Sequence, residues 1–193
     1  MGSDHHGNRY GRSEQARTAV LHAVDDLLVE HGFAGLTIEK IAAKAGVAKQ
    51  TIYRWWPSKV DILLDAFGPD QARDLTPADL GSLAADLRAH LAAVASFLTT
   101  SDAGAVYRAL VGQAQHDPDL ATRLRDTHIA DQHARDRLPF ERAVARGELS
   151  STVDIDAAVE RLIAVINYRV LVTGQSVGRD FTDALVADFL AEQ

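Results

Sequence analysis

Ile38-Glu39-Lys40-Ile41-Ala42-Ala43-Lys44-Ala45-Gly46-Val47-Ala48-Lys49-Gln50-Thr51-Ile52-Tyr53-Arg54-Trp55-Trp56 has the internal spacing of two short helices crossing at a steep angle. Such a crossing needs a small residue at the contact, a turn that accepts a left-handed backbone, and an apolar side chain sent back between the helices. Ala42, Gly46 and Ile52 stand at those three places. Gly46 supplies the turn because glycine takes positive φ without a steric cost. Trp56, one turn after Ile52, extends the same buried face.

Working outward, Val20, Leu21, Val24, Leu27 and Leu28 recur at helical spacing and predict a first helix over about 13–31, stopped at Gly32. Thr37 is placed to cap the second helix. The third runs from Ala48 or Lys49 to about Trp56, where Pro57 ends it. Ser58 with Asp61 three residues on reads as a capping box opening a fourth helix through Ile62, Leu63 and Phe67, closed by Gly68-Pro69.

Beyond Pro69 the helices become longer and richer in Ala, Leu and Asp. Thr76-Pro77-Ala78-Asp79 combines a cap, a Pro and an acid in the manner of a helix start, and predicts a helix carrying Leu80, Leu83, Leu87, Leu91 and Val94 on one face. A further helix follows around Val106 to Val111, and Asp117-Pro118-Asp119 opens the next. Pro139 predicts a kink or split in the pattern reaching Ala145. Asp154 or Asp156 starts a strongly apolar helix, Val159 to Val172, ended by Gly174, and Phe181 to Leu190 forms the last. The whole reads as all-α, with no strand-like alternation.

Charge separates the two parts. The chain carries −7 overall, yet residues 1–68 hold eight basic and eight acidic side chains, so the excess lies in the remainder. Lys40, Lys44, Lys49, Arg54 and Lys59 follow one another without an acid between the first and the last. A basic patch on a neutral segment, tethered to an acidic one, is the footprint of a nucleic-acid reader. A solvated basic face is the plainer alternative.

Leu36 to Val47, followed by Thr51-Ile52-Tyr53-Arg54-Trp55-Trp56-Pro57-Ser58-Lys59, resembles the DNA-binding signature of the tetracycline-repressor (TetR) family, over about 13–67. Ala48 departs from it, standing where Ser or Thr is common as a helix cap. The polar, Gly-rich start reads as a flexible arm over 1–12 and the change of pattern at Pro69 as a domain boundary, and the resemblance implies a helix-turn-helix domain over 13–68 and a helical ligand-binding and dimerisation domain over 76–193. It implies double-stranded operator DNA as partner, a homodimer built on the last two helices, and a small, largely apolar effector.

It further implies that Lys49, Gln50 and Thr51 face the major groove, with Tyr53 and Lys59 on phosphates. The chemistry agrees, since Gln can bond adenine and Lys can bond guanine at the base edges. Arg54 is open between a backbone contact and a solvated charge. Thr37 is first a cap and second a phosphate contact at its helix N-terminus. For the effector, the polar or aromatic groups on otherwise apolar faces are His90, Phe97, Tyr107, Gln113, Asn167 and Tyr168, each of which also reads as an ordinary packing or surface residue.

Other classes find less support. The sequence holds no phosphate loop, dinucleotide fingerprint or nucleophile elbow, and none of the spacings of an enzyme site. His128 and His133 lie five apart, a poor spacing for two ligands on one helical face, so neither a metal nor a cofactor is expected. Zero cysteines and a polar start without a signal-peptide core lead to the expectation of a cytoplasmic protein with no membrane span. A DNA-binding protein whose C-terminal part only dimerises, with no effector, remains the competing reading.

Overall fold

The computed structural model of the chain describes residues 7–67 and 75–192. Gly68-Pro69 and the first six residues of the expected arm lie outside the described residues. Eleven α-helices follow: α1 Gly7–Gly35, α2 Ile38–Ala45, α3 Lys49–Tyr53, α4 Lys59–Ala66, α5 Leu83–Thr100, α6 Asp102–Ala114, α7 Pro118–Leu124, α8 Ala130–Asp136, α9 Leu138–Arg146, α10 Ile155–Asn167 and α11 Arg179–Ala191. Two π-helical segments, Arg125–Ile129 and Tyr168–Thr173, join α7 to α8 and extend α10. No strand occurs among the described residues.

Local chemistry sets most helix ends where the sequence puts them. Thr37 caps α2 by accepting from the Lys40 N–H, and Gly46 ends it in the left-handed region at φ 68°. Ser58 and Asp61 form the reciprocal capping box of α4. Asp117 caps α7 with Pro118 at its first turn, and Asp154 caps α10. The Pro139 pattern does split, since α8 ends at Asp136 and α9 begins at Leu138.

Four boundaries differ from expectation. The helix expected at Thr76 starts at Leu83: Gly81 adopts φ +85°, its N–H goes to Asp79, and Ser82 takes over as cap. Leu80 donates to Asp86 and Leu83 to Glu148, so the acids around this turn satisfy its backbone rather than start a helix at Thr76. The first helix begins at Gly7 and continues past a kink at Gly32 to Gly35. The third helix starts at Lys49 as expected but ends at Tyr53, and the Trp55 and Trp56 N–H groups both turn onto the Ile52 carbonyl. The α-helical part of the Val159–Val172 segment ends at Asn167 and gives way to a π turn.

Two apolar clusters hold the chain. One gathers Val20, Val24, Leu36, Ile41, Ile52, Ile62 and Leu63 of the N-terminal helices with Val106 and Leu110 of α6 and Leu120 and Leu124 of α7. The other packs α5 against α9, α10 and α11 through residues such as Leu87, Leu91, Phe140, Leu162 and Val186. The first cluster crosses the boundary expected at Pro69, so the head shares its core with the body instead of hanging from a linker.

Candidate nucleic-acid interface and regulatory cavity

Ala42 and Ile52 are buried at the crossing of α2 and α3, and the Gly46 turn is closed by the Val47 N–H donating to the Ala42 carbonyl at 3.1 Å. Trp56 is buried beneath them; its indole N–H donates to Asp65 at 2.9 Å, and Arg17 pairs with the same carboxylate. Trp55 packs edge-on against Trp56 at 5.3 Å between ring centroids. With these side chains drawn inward, α3 is left with Lys49, Gln50 and Tyr53 exposed, Thr51 half-buried and Arg54 exposed at its end. Thr37 is exposed at the start of α2.

The basic run is less free than its spacing suggests. Lys44 lies 3.2 Å from Asp26 and 3.0 Å from Glu30 of α1, and these partners push its pKa up. Lys49 pairs with Glu39 at 2.7 Å, which holds that carboxyl below its usual range. Both Lys49 and Glu39 are exposed, so this bond is open to exchange for an incoming phosphate or base edge. Lys59, expected on a phosphate, turns inward in this structure. Its ammonium donates to the Phe33 and Leu36 carbonyls at 3.1 and 3.2 Å and lies 4.0 Å from the Phe33 ring centroid. It therefore ties the start of α4 to the end of α1.

In the body, a cavity of about 580 Å³ opens between α5, α6, the π turn before α8, α8 itself and α10. One wall is aromatic: Phe67 stands 5.5 Å from Tyr107, 6.1 Å from Phe97 and 4.8 Å from the His128 ring. Burial pushes His128 below its ordinary pKa, so this wall is uncharged near neutrality. The lining also carries polar groups, Gln132, Asp136 and Asn167. Burial and the Asp136 charge push the Tyr107 phenol up, which keeps it a protonated donor.

Of the six residues expected at an effector, the structure brings Phe97, Tyr107 and Asn167 to this cavity. His90 is buried behind it, with its Nε2 donating to Asp136 at 2.8 Å. Gln113 is half-buried on α6 away from the lining, and Tyr168 is 58% exposed on another surface. The reading missed Phe67, His128, Gln132 and Asp136. Phe67 had a signal, an aromatic at the end of α4 beyond what the head's own core requires. The others sit on a polar helical stretch whose inward face only packing defines.

Phe67 also joins the cavity to the head. It follows the last residue of α4, whose first turn Lys59 ties to the end of α1, and Arg123 of α7 pairs with Asp61 of α4 at 2.9 Å. Among the described residues no group of His, Asp and Glu is arranged to hold a metal ion, and no helix is long and apolar enough to cross a membrane.

Comparison with known proteins agrees with this architecture. Residues 20–66 match the family model described as bacterial regulatory proteins, tetR family, and residues 77–189 match the tetracyclin repressor-like C-terminal domain. The uncharacterized HTH-type transcriptional regulator YdeS of Bacillus subtilis is 34% identical over 91% of this chain and 88% of its own length. The DNA-binding transcriptional repressor TetR of Mycobacteroides abscessus is 30% identical over 93% of this chain and 94% of its own. The crystal structure of the TetR family transcription regulator SCO0332 superposes with a TM-score of 0.73 at 35% identity, covering 93% of this chain and 98% of that one. The buried helix-turn-helix crossing, the outward face of α3 and the helical body behind them thus belong to a DNA-binding transcriptional regulator, not an enzyme, and the chain is a member of the TetR family.

Proposed function

We propose that the chain is a repressor that sits as a homodimer on a pseudo-palindromic operator in the cytoplasm and leaves it when a small, largely apolar molecule fills the cavity. The observation that carries this reading is Phe67, which lines the cavity and terminates the helix whose Ile62 and Leu63 share one apolar core with Ile41 of α2 and Ile52 of α3. An effector that favours one position of α4 shifts the spacing of the two heads, provided it binds that state more tightly. A hundredfold loss of operator affinity requires about 2.7 kcal/mol of such coupling. Lys49, Gln50 and Thr51 read bases, Tyr53 and Arg54 meet phosphates, and the N-terminus of α2 at Thr37 adds a further anion contact.

The dimer surface in this reading is the outer side of α10, its π extension and α11. Val165, Tyr168 and Val172 are 37%, 58% and 69% exposed there, spaced along one helical side. Two-fold pairing would cover them and set two recognition helices one or more DNA turns apart.

The test is selection of bound duplexes from a genomic or random library, followed by titration of the selected site. Gln50→Ala is expected to alter base preference, and any compound that raises the melting temperature is expected to weaken operator binding. Unchanged preference in Gln50→Ala would overturn the assignment of α3. Compounds that stabilise the protein yet leave operator affinity untouched would favour a body that serves only as a dimerisation scaffold.

A further inference from the structure

The charge of the cavity points to the kind of molecule it takes. Asp136 lines it and is only 5% exposed. Two described donors reach its carboxylate, His90 Nε2 at 2.8 Å and Gln132 Nε2 at 2.7 Å, and both bond to the same oxygen, Oδ1. Among the described residues nothing donates to Oδ2. Oδ2 is not among the buried side-chain atoms left without a partner, so it borders accessible space where Asp136 lines the cavity, and a carboxylate in such poorly solvated surroundings favours a donor or a cation.

The remaining charges have the same sense. Asp131 and Glu160 lie at the exposed rim without an ion pair among the described residues, against a single guanidinium, Arg135. Arg135 is held in place by Gln132, whose Oε1 accepts from its Nε and Nη2 at 3.0 and 2.9 Å. The same cavity is lined by the rings of Phe67, Phe97 and Tyr107, whose faces attract positive charge through their quadrupoles. An anionic ligand would meet the Asp136 carboxylate in a poorly solvated site. A neutral one without an O–H or N–H would leave Oδ2 without a partner, and a neutral donor would leave the surplus negative charge uncompensated.

We propose, building on the effector-release reading above, that the cavity accepts an organic cation: an amine or quaternary ammonium on an aromatic or compact apolar body. The positive head lies against Asp136 and the body against the Phe67, Phe97 and Tyr107 wall. A cavity of about 580 Å³ falls within the size range of drug-sized ligand sites.

Three probes of one shape separate the possibilities: (naphthylmethyl)trimethylammonium, its neutral carbon isostere neopentylnaphthalene, and naphthylmethanesulfonate. Calorimetric titration of the full-length protein is expected to give at least tenfold tighter binding for the ammonium than for either analogue. Asp136→Asn keeps an oxygen for His90 and should bring the ammonium down to the level of the neutral probe without weakening the latter. Glu160→Gln, at the exposed rim, preserves the fold and should lower ammonium affinity by a few-fold, so the inference stays testable should Asp136→Asn fold poorly. Equal binding of ammonium and neutral probe, or preference for the sulfonate, overturns the cation inference while leaving an effector cavity. No binding by any probe overturns both. Ammonium binding that depends on Asp136 but leaves operator affinity unchanged upholds the cation inference and overturns effector release.

Discussion

Lys59 gives the sharpest contrast between what a motif implies and what packing does with it. Lys59→Met keeps most of the aliphatic stem and removes the charge. The lost interactions are two charge-assisted hydrogen bonds, at 3.1 and 3.2 Å, and a cation–π contact at 4.0 Å. Hydrogen bonds to charged groups contribute about 1.5–3 kcal/mol each when well buried, and a cation–π contact about 0.5–1. Lys59 is only half-buried and gains side-chain freedom when released, so a net loss of about 2 kcal/mol is expected. For a chain of this length that lowers the melting temperature by roughly 4–8 °C. The assay is thermal melting at fixed protein concentration, paired with operator titration over a range of salt. Were Lys59 chiefly a phosphate contact, melting would hold and the salt slope would fall by about two for the two copies in a dimer. That result would refute the bracing role assigned to it here.

Ser58→Ala, which dismantles the capping box of α4, is expected to cost about 1 kcal/mol by denaturant unfolding. Gly46→Ala meets no atom within 4 Å of the added Cβ but is strained at φ 68°, so a loss of about 1–2 kcal/mol is expected in the same assay, with no cavity or clash to relieve. Asp25 is raised to about 6, first by burial and then by Asp102 and Asp26, against the lowering effect of His22. A raised acid makes the fold hold a proton that the unfolded chain has released, so stability falls as pH rises from about 4 to 6 and stays lower above it. Asp25→Asn should therefore stabilise by about 1 kcal/mol at pH 7.5, after allowance for solvent screening, and progressively less toward pH 4. Val165→Asp should turn the dimer into soluble monomer by light scattering at tens of micromolar; a dimer of unchanged strength would place the interface elsewhere.

The helix-turn-helix was legible because every requirement on it is local. A small residue, a positive-φ turn and a returning apolar side chain, Ala42, Gly46 and Ile52, stand four and then six residues apart, and the neighbouring caps depend on groups three residues apart. The same holds for the capping box at Ser58 and for the Pro139 split. The helix starts at Leu83 and not at Thr76, with Ser82 as its cap, and Glu148, 65 residues from Leu83 in sequence, accepts from the Leu83 N–H there. No local pattern contains that bond.

By itself, then, the sequence determined an all-helical chain, the crossing that presents Lys49 to Tyr53, and the family to which those residues belong. Tertiary structure decided which charges remain available, because Glu39 reaches Lys49 across the α2–α3 crossing and the end of α1 captures Lys59 only once α1 packs against α4. It also decided the cavity. Phe67, Tyr107 and Asp136 come from three separate helical regions, and each alone reads as an ordinary core aromatic or surface acid. Their meeting depends on how α4, α6 and α8 pack, and helix periodicity fixes the face a residue occupies but not the residues it will face.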